Sequence, residues 1–182
     1  VTSAVRTSRG VIVTYLTTTA LFTLAASLIW GINTLFLMDA GLDIFQVMLV
    51  NTAFTVGQII FEVPTGVIAD TIGRKASLLL GCLTLFASTL VYVAAARFGW
   101  GIWAFAGASI VLGLGFTFQT GAVDAWLVDA LAFTGYEGGR ERVFAWGGMT
   151  FGVAMLVGTL GGGVLGQFDL ALPYVVRAVL LL

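Results

Sequence analysis

The sequence predicts an all-α, polytopic transmembrane helix bundle, and three observations predict it. Of the 182 residues, 59% are hydrophobic and only 9% charged, against about half and about a quarter in an average soluble domain. Mean hydropathy is +1.07. The few charges are confined mainly to short connections between long uncharged runs. Such a chain has too little polar material to cover a globule in water, which excludes a soluble enzyme, a nucleic-acid binder and a disordered chain. The net charge of −1 offers no basic field that would attract nucleic acid. With no His and a single Cys, Cys82, there is no disulfide framework and no common zinc donor set, so neither metal nor cofactor is expected. An enzyme working within the membrane would need a nucleophile with its base, or carboxylates at ligand spacing, and neither pattern occurs.

A hydrocarbon core ~30 Å thick requires about 20 mostly apolar helical residues. Five runs meet that length, at about residues 11–38, 44–69, 76–96, 101–128 and 143–166. A sixth apolar run, 171–182, would give only ~18 Å of helix and is expected to be the truncated start of another span. The first run is too long for the apolar region of a signal peptide and reads as a span. The short connections make neighbouring spans antiparallel. Arg6, Arg9, Arg74, Lys75, Arg140 and Arg142 then share one side and Arg97 alone falls in a loop on the other. Basic loops favour the cytoplasm, so the amino terminus is expected there, in the inner (cytoplasmic) membrane of a cell. The 24 glycines, about twice the usual share, suit helices whose backbones approach closely.

The connection between the second and third spans reads Gly66-Val-Ile-Ala-Asp70-Thr-Ile-Gly73-Arg74-Lys75-Ala-Ser-Leu78. It resembles the loop motif of the major facilitator superfamily, G-x-L-A-D-R-x-G-R-K-x-x-L, with Ile68 in place of Leu and Thr71 in place of Arg. The physical reading agrees with the pattern: Gly66 for close helix approach, Asp70 at a helix boundary beside an amino-terminal dipole, Gly73 for a tight turn, and Arg74 and Lys75 as cytoplasmic anchors. Further along, Gly158-Thr-Leu-Gly161-Gly162-Gly163 resembles the family's G-P-x-x-G-G antiporter pattern, with Thr159 at the proline position, although close helix packing explains the same glycines. Thr117-Phe-Gln119-Thr120-Gly121 is the nearest match to a family R-x-x-Q-G pattern and lacks its Arg. The segments Glu62-Val-Pro-Thr-Gly66 and Gly121-Ala-Val-Asp124-Ala-Trp-Leu-Val-Asp129 resemble a bacterial, drug- or multidrug-exporter-like branch of the family.

The resemblance implies the amino-terminal six-helix half of a twelve-helix transporter, with the carboxy-terminal half missing. It also implies alternating access about a cavity lined by the first and fourth spans. Substrate contacts are then expected from Ser27, Trp30, Asn33, Thr34, Thr117, Gln119, Thr120 and Asp124. Acids within spans are expensive and call for a role, which makes Asp124 and Glu62 the proton-coupling candidates. In the family an acid near the end of the fourth span pairs with the loop-motif Arg. Here Asp129, or secondarily Asp124, would pair with Arg74 as a conformational latch. Expected partners are a small-molecule substrate, protons and the lipid bilayer, with no nucleic acid. The leading function is proton-coupled export of an amphipathic or drug-like compound. Uptake or facilitated transport of a small polar nutrient, and a non-transporting membrane sensor or assembly half, remain the alternatives.

Overall fold

The computed structural model describes residues 7–182, apart from the side chains of Thr120 and Gly121, and its regular secondary structure is entirely helical. The helices are α1 (Ser8–Trp30), α2 (Asn33–Asp39), α3 (Ile44–Ile72), α4 (Arg74–Phe98), α5 (Ile102–Phe133), α6 (Arg140–Gly166) and α7 (Leu172–Leu180). Among the described residues, α1, α3, α4, α5 and α6 are long and apolar enough to cross a membrane. Arg6, one of the residues behind the expected orientation, lies outside the described residues.

The helix boundaries follow from local chemistry. Thr7 caps α1 by accepting from the Gly10 N–H. Asp43 and Gln46 form a reciprocal capping box at the start of α3, which satisfies two otherwise orphaned N–H groups. The run 11–38, expected as one span, is two helices. The chain turns at Gly31–Ile32, where the Ile32 N–H bonds Ile29, and α2 restarts with Phe36 bonded to Ile32. A glycine is a common cause of a sharp helix break. A second difference lies at the loop motif: α3 runs on to Ile72, so Asp70 stands in its last turn rather than in a connection. Gly73 alone joins α3 to α4, at φ +93°, a conformation that disfavours any side chain.

Packing divides the bundle into two groups. The first pairs α1 with α6. The second places α3 and α4 along α5, and α7 bridges the groups by packing on α1 and α4. Lipid is as apolar as the helices, so close backbone contact and dispersion must supply the association. The α1–α6 seam shows how. Along α6 the buried positions are Val143, Gly147, Ala154, Gly158 and Gly162. A Cβ at Gly158 would collide with the Ser27 hydroxyl, and one at Gly162 with the Leu28 carbonyl oxygen. The glycine run that resembles the antiporter pattern therefore serves helix packing here. At the α3–α5 crossing, a Cβ on Gly57 would lie 2.6 Å from the Ile110 carbonyl oxygen and one on Gly113 2.5 Å from that of Phe54. Gly66 does not share this role. It is exposed, and a Cβ there would meet nothing within 4 Å, because Gly66 borders an open cleft between α3 and α5.

An aromatic cluster ties the ends of α2, α4, α5 and α7 together at the end of the bundle away from the loop motif. Phe36 packs on Tyr174 with centroids 4.2 Å apart, and Tyr92 packs edge-on to Phe105 at 5.3 Å. Tyr92 and Ser109, both buried, share a hydrogen bond between α4 and α5.

Two substitutions test these seams in the full-length protein. Gly162→Ala should lower thermal stability by about 1–3 kcal/mol, since the added methyl has no room. Gly152→Ala on the same helix, where nothing lies within 4 Å, should be neutral or slightly stabilising. Gly73→Ala should likewise destabilise, by about 1 kcal/mol or more, because the new side chain cannot adopt the native φ without strain. Scanning calorimetry checks all three.

Candidate functional site

Four of the long helices surround a cavity of about 560 Å³. From α1 come Tyr15, Thr19, Phe22, Thr23, Ala26 and Trp30, and from α3 Phe54 and Gln58. From α5 come Phe116, Gln119, Val123 and Asp124, and from α6 Gly147, Gly148 and Phe151. The wall is mostly apolar and aromatic, with a few polar groups. That is the ordinary make-up of a small-molecule site. Its one carboxylate, Asp124, accepts a hydrogen bond from the Tyr15 hydroxyl at 3.2 Å, joining α5 to α1. Gly147 leaves the room for that tyrosine: a Cβ there would lie 2.6 Å from the Tyr15 hydroxyl oxygen. Phe116 stands edge-on to both Phe22 and Phe54, at 5.5 and 5.4 Å, and these three rings form the floor of the cavity.

Beyond that floor lies a second, inner cavity of about 230 Å³ that shares Trp30, Phe54 and Phe116 with the first. Its polar lining is Asn33, Thr34, Asn51 and Arg177. The Asn33 amide nitrogen donates to Asn51 Oδ1 at 3.0 Å, and the Asn33 oxygen accepts from the Tyr174 hydroxyl at 2.8 Å. This chain of side chains runs from α3 through α2 to α7.

The expected substrate contacts separate into groups. Trp30, Gln119 and Asp124 line the larger cavity, and Trp30, Asn33 and Thr34 the smaller one. Ser27 is not at either. It is fully buried in the α1–α6 seam, where its hydroxyl donates to the Thr23 carbonyl at 2.7 Å. At about 100° of rotation per residue, Ser27 and Ala26 flank Trp30 on opposite sides, and it is Ala26 that lines the cavity. Thr117 also lies elsewhere. Its hydroxyl donates to the Leu114 carbonyl, and it borders a small cleft with Glu62, Thr65, Asp70 and Arg74. The side chain of Thr120 lies outside the described residues.

Glu62 is exposed and belongs to that cleft beside the loop motif, not to either main cavity. Asn51, Thr55, Gln58 and Glu62 recur at steps of four, three and four along α3, a polar stripe on one helical face, but the structure splits it: Asn51 lines the inner cavity, Gln58 the larger one, and Thr55 and Glu62 are exposed. The contacts expected from the first span also omit Tyr15 and Thr19. They follow from Asn33 and Trp30 by continuing back in threes and fours through Ala26 and Phe22. Nothing in the sequence alone places Arg177 against the inner cavity; the fold does that.

At the loop motif Arg74 stands between two carboxylates. It lies 3.3 Å from Asp70, one turn back across Gly73, and its Nε is 3.7 Å from Asp129 on α5. The structure brings Asp129 to Arg74 and holds Asp124 at Tyr15. Both acids beside Arg74 are largely exposed, so the cluster contributes little to stability, ~0–1 kcal/mol. Gly73, Arg74 and Lys75 open α4 on the same end of the bundle. The described residues contain no group of His, Cys, Asp and Glu side chains that would hold a metal ion.

Comparison with known proteins agrees with this architecture. The family model described as Major Facilitator Superfamily matches residues 15–182. The chain is similar to the class H tetracycline resistance protein of Pasteurella multocida, with 30% identity over 122 residues, which cover 67% of this chain and 28% of that protein. It is 30% identical over 123 residues to the class B tetracycline resistance protein of Escherichia coli, covering 68% and 28% of the two. It is 26% identical over 155 residues to the inner membrane transport protein YajR of Escherichia coli strain K12, covering 75% and 32%. The chain thus spans about a third or less of the length of these relatives. No solved structure matches it significantly. A family match over nearly the whole chain, together with the apolar helices, makes this a multi-pass membrane protein that belongs to the major facilitator superfamily.

Proposed function

We propose that these residues form the amino-terminal six-helix half of a secondary transporter that exports an amphipathic, drug-like compound by alternating access, driven by protons. The observation that carries the reading is the larger cavity, an aromatic cleft between α1, α3, α5 and α6 whose one acid, Asp124, is held by Tyr15. The tetracycline resistance proteins among its relatives support the drug-export part. YajR, named an inner membrane transport protein, supports placement in the inner membrane. The amino terminus is then cytoplasmic, since the basic loop-motif end carries Arg74, Lys75, Arg140 and Arg142.

The roles follow from position. Trp30, Gln119 and the phenylalanine floor hold the apolar body of the substrate. Asp124 takes up and releases the proton: ionised, it accepts from Tyr15; protonated, it becomes a donor that a substrate oxygen can use. Arg74, with Asp70 and Asp129, acts as the latch. An exposed ion cluster is worth little to folding, yet a contact present in one conformation and absent in the other biases their populations by its full value. Glu62 borders the same cleft and serves the latch better than the coupling step.

Transport in proteoliposomes of the full-length protein, with tetracycline as the first probe and an imposed pH gradient, tests the coupling. Asp124→Asn should abolish the dependence of transport on the gradient while leaving the fold intact. Unchanged pH-dependent transport would remove Asp124 from that role. Asp129→Asn should leave the melting temperature within about a degree or two, as expected for an exposed pair. It should nevertheless shift the balance of inward- and outward-open states, measured by spin-label distances between the two halves. An unchanged distance distribution would remove the latch.

A further inference from the structure

Arg177 is the feature that the transport reading leaves unused. It lies in α7, is 1% exposed, and lines the inner cavity. All three guanidinium nitrogens are buried and have no hydrogen-bond partner among the described residues. Its guanidinium carbon lies over the ring of Phe116, 5.9 Å from the centroid. No carboxylate lines the inner cavity; the acids Asp124 and Glu62 belong to other clefts.

An arginine in this state is costly. Arginine stays charged in proteins, and a buried charge without a partner loses its hydration without recovering it. The fold nonetheless holds it firmly. Tyr174, one turn earlier on α7, is locked between Phe36 and Asn33, which fixes the rotation of the helix that carries Arg177. The neighbouring polar groups are arranged compatibly. Asn33 donates one N–H to Asn51 Oδ1 and accepts from Tyr174, so its second N–H and the amide nitrogen of Asn51 remain as donors without a partner among the described residues. The inner cavity thus presents donors and one positive charge beside an aromatic floor.

We infer that Arg177 is an anion-recognition group, and that the compound bound in these cavities carries a carboxylate or phosphate at the end that reaches it. The planar guanidinium forms paired, charge-assisted hydrogen bonds with either group. Trp30, Phe54 and Phe116 line both cavities, so the apolar body of the same molecule would lie across the phenylalanine floor. An amphipathic substrate is thereby narrowed to one with an acidic end. The inference rests on the cavity being the substrate site.

The experiment uses purified full-length protein in nanodiscs with a matched set of probes: 2-naphthoate, 2-naphthyl phosphate and the neutral 2-naphthamide. Binding is read from quenching of tryptophan fluorescence and melting from differential scanning fluorimetry. Either or both of the anionic probes should bind at least about tenfold more tightly than the amide, and which of them does so separates a carboxylate site from a phosphate site. That preference should vanish in Arg177→Met and survive in part in Arg177→Lys. Without any probe, Arg177→Met should melt above the wild type, because it removes an uncompensated buried charge. The inference is overturned if Arg177→Met melts below the wild type or fails to fold, which would mean that an acid elsewhere in the whole protein pairs with Arg177. It is equally overturned if the anions bind no more tightly than the amide. None of these readouts involves movement across the membrane, so absent transport with an intact anion preference would count against the proposed function alone.

Discussion

Close approach of backbones at glycine is the constraint on which this structure depends. In lipid, burying one apolar helix against another gains little, since the tails already solvate it. The helices must come near enough for dispersion and short polar contacts to hold them. Gly158 and Gly162 let α1 settle onto α6, and Gly57 and Gly113 let α3 cross α5. These two tight seams draw the bundle into two groups, and the cleft lies between them. Were the seams wider, the same side chains would fill the space that now forms the cavity. Packing and cavity are therefore one arrangement viewed from two sides.

The polar groups follow from the same economy. A charge inside the membrane needs a partner, water or a ligand. Asp124 has Tyr15, and Arg74 has Asp70 and Asp129 at the bundle end. The Asn33 amide donates to Asn51 and accepts from Tyr174. Arg177 alone is held rigidly with no protein acceptor among the described residues. The distribution places three features along the bundle: an ion cluster at the loop-motif end, a carboxylate in the larger cavity, and a guanidinium beside its aromatic floor.

Much of the fold was legible in the sequence because membrane burial imposes length and hydropathy directly. The apolar, charge-poor runs mark the five long helices of the described residues, and the loop motif marks the family. The break at Gly31–Ile32 was not legible, since an uncharged run carries no signal for a turn satisfied by its own backbone. The site was less legible. Helical periodicity assigns a face only to within about one residue, which is why Ser27 was expected at the cavity while Ala26 occupies it. Nor does periodicity say which face meets which neighbour, so the stripe on α3 divides among the two cavities and the exposed surface. The position of Arg177 depends on how α7 packs against α1 and α4, a tertiary fact with no local signature.

The central claim is that the face formed by α1, α3 and α5 is exposed alternately to the two sides of the membrane. The most direct measurement places a single cysteine at Gln119 in a full-length protein freed of its other cysteines, Cys82 included, and labels it with a membrane-impermeant maleimide, applied in turn to right-side-out and inside-out vesicles. The account predicts labelling from both sides, with tetracycline or another bound ligand raising one rate while lowering the other. Labelling from one side only, at a rate that no ligand changes, would contradict it.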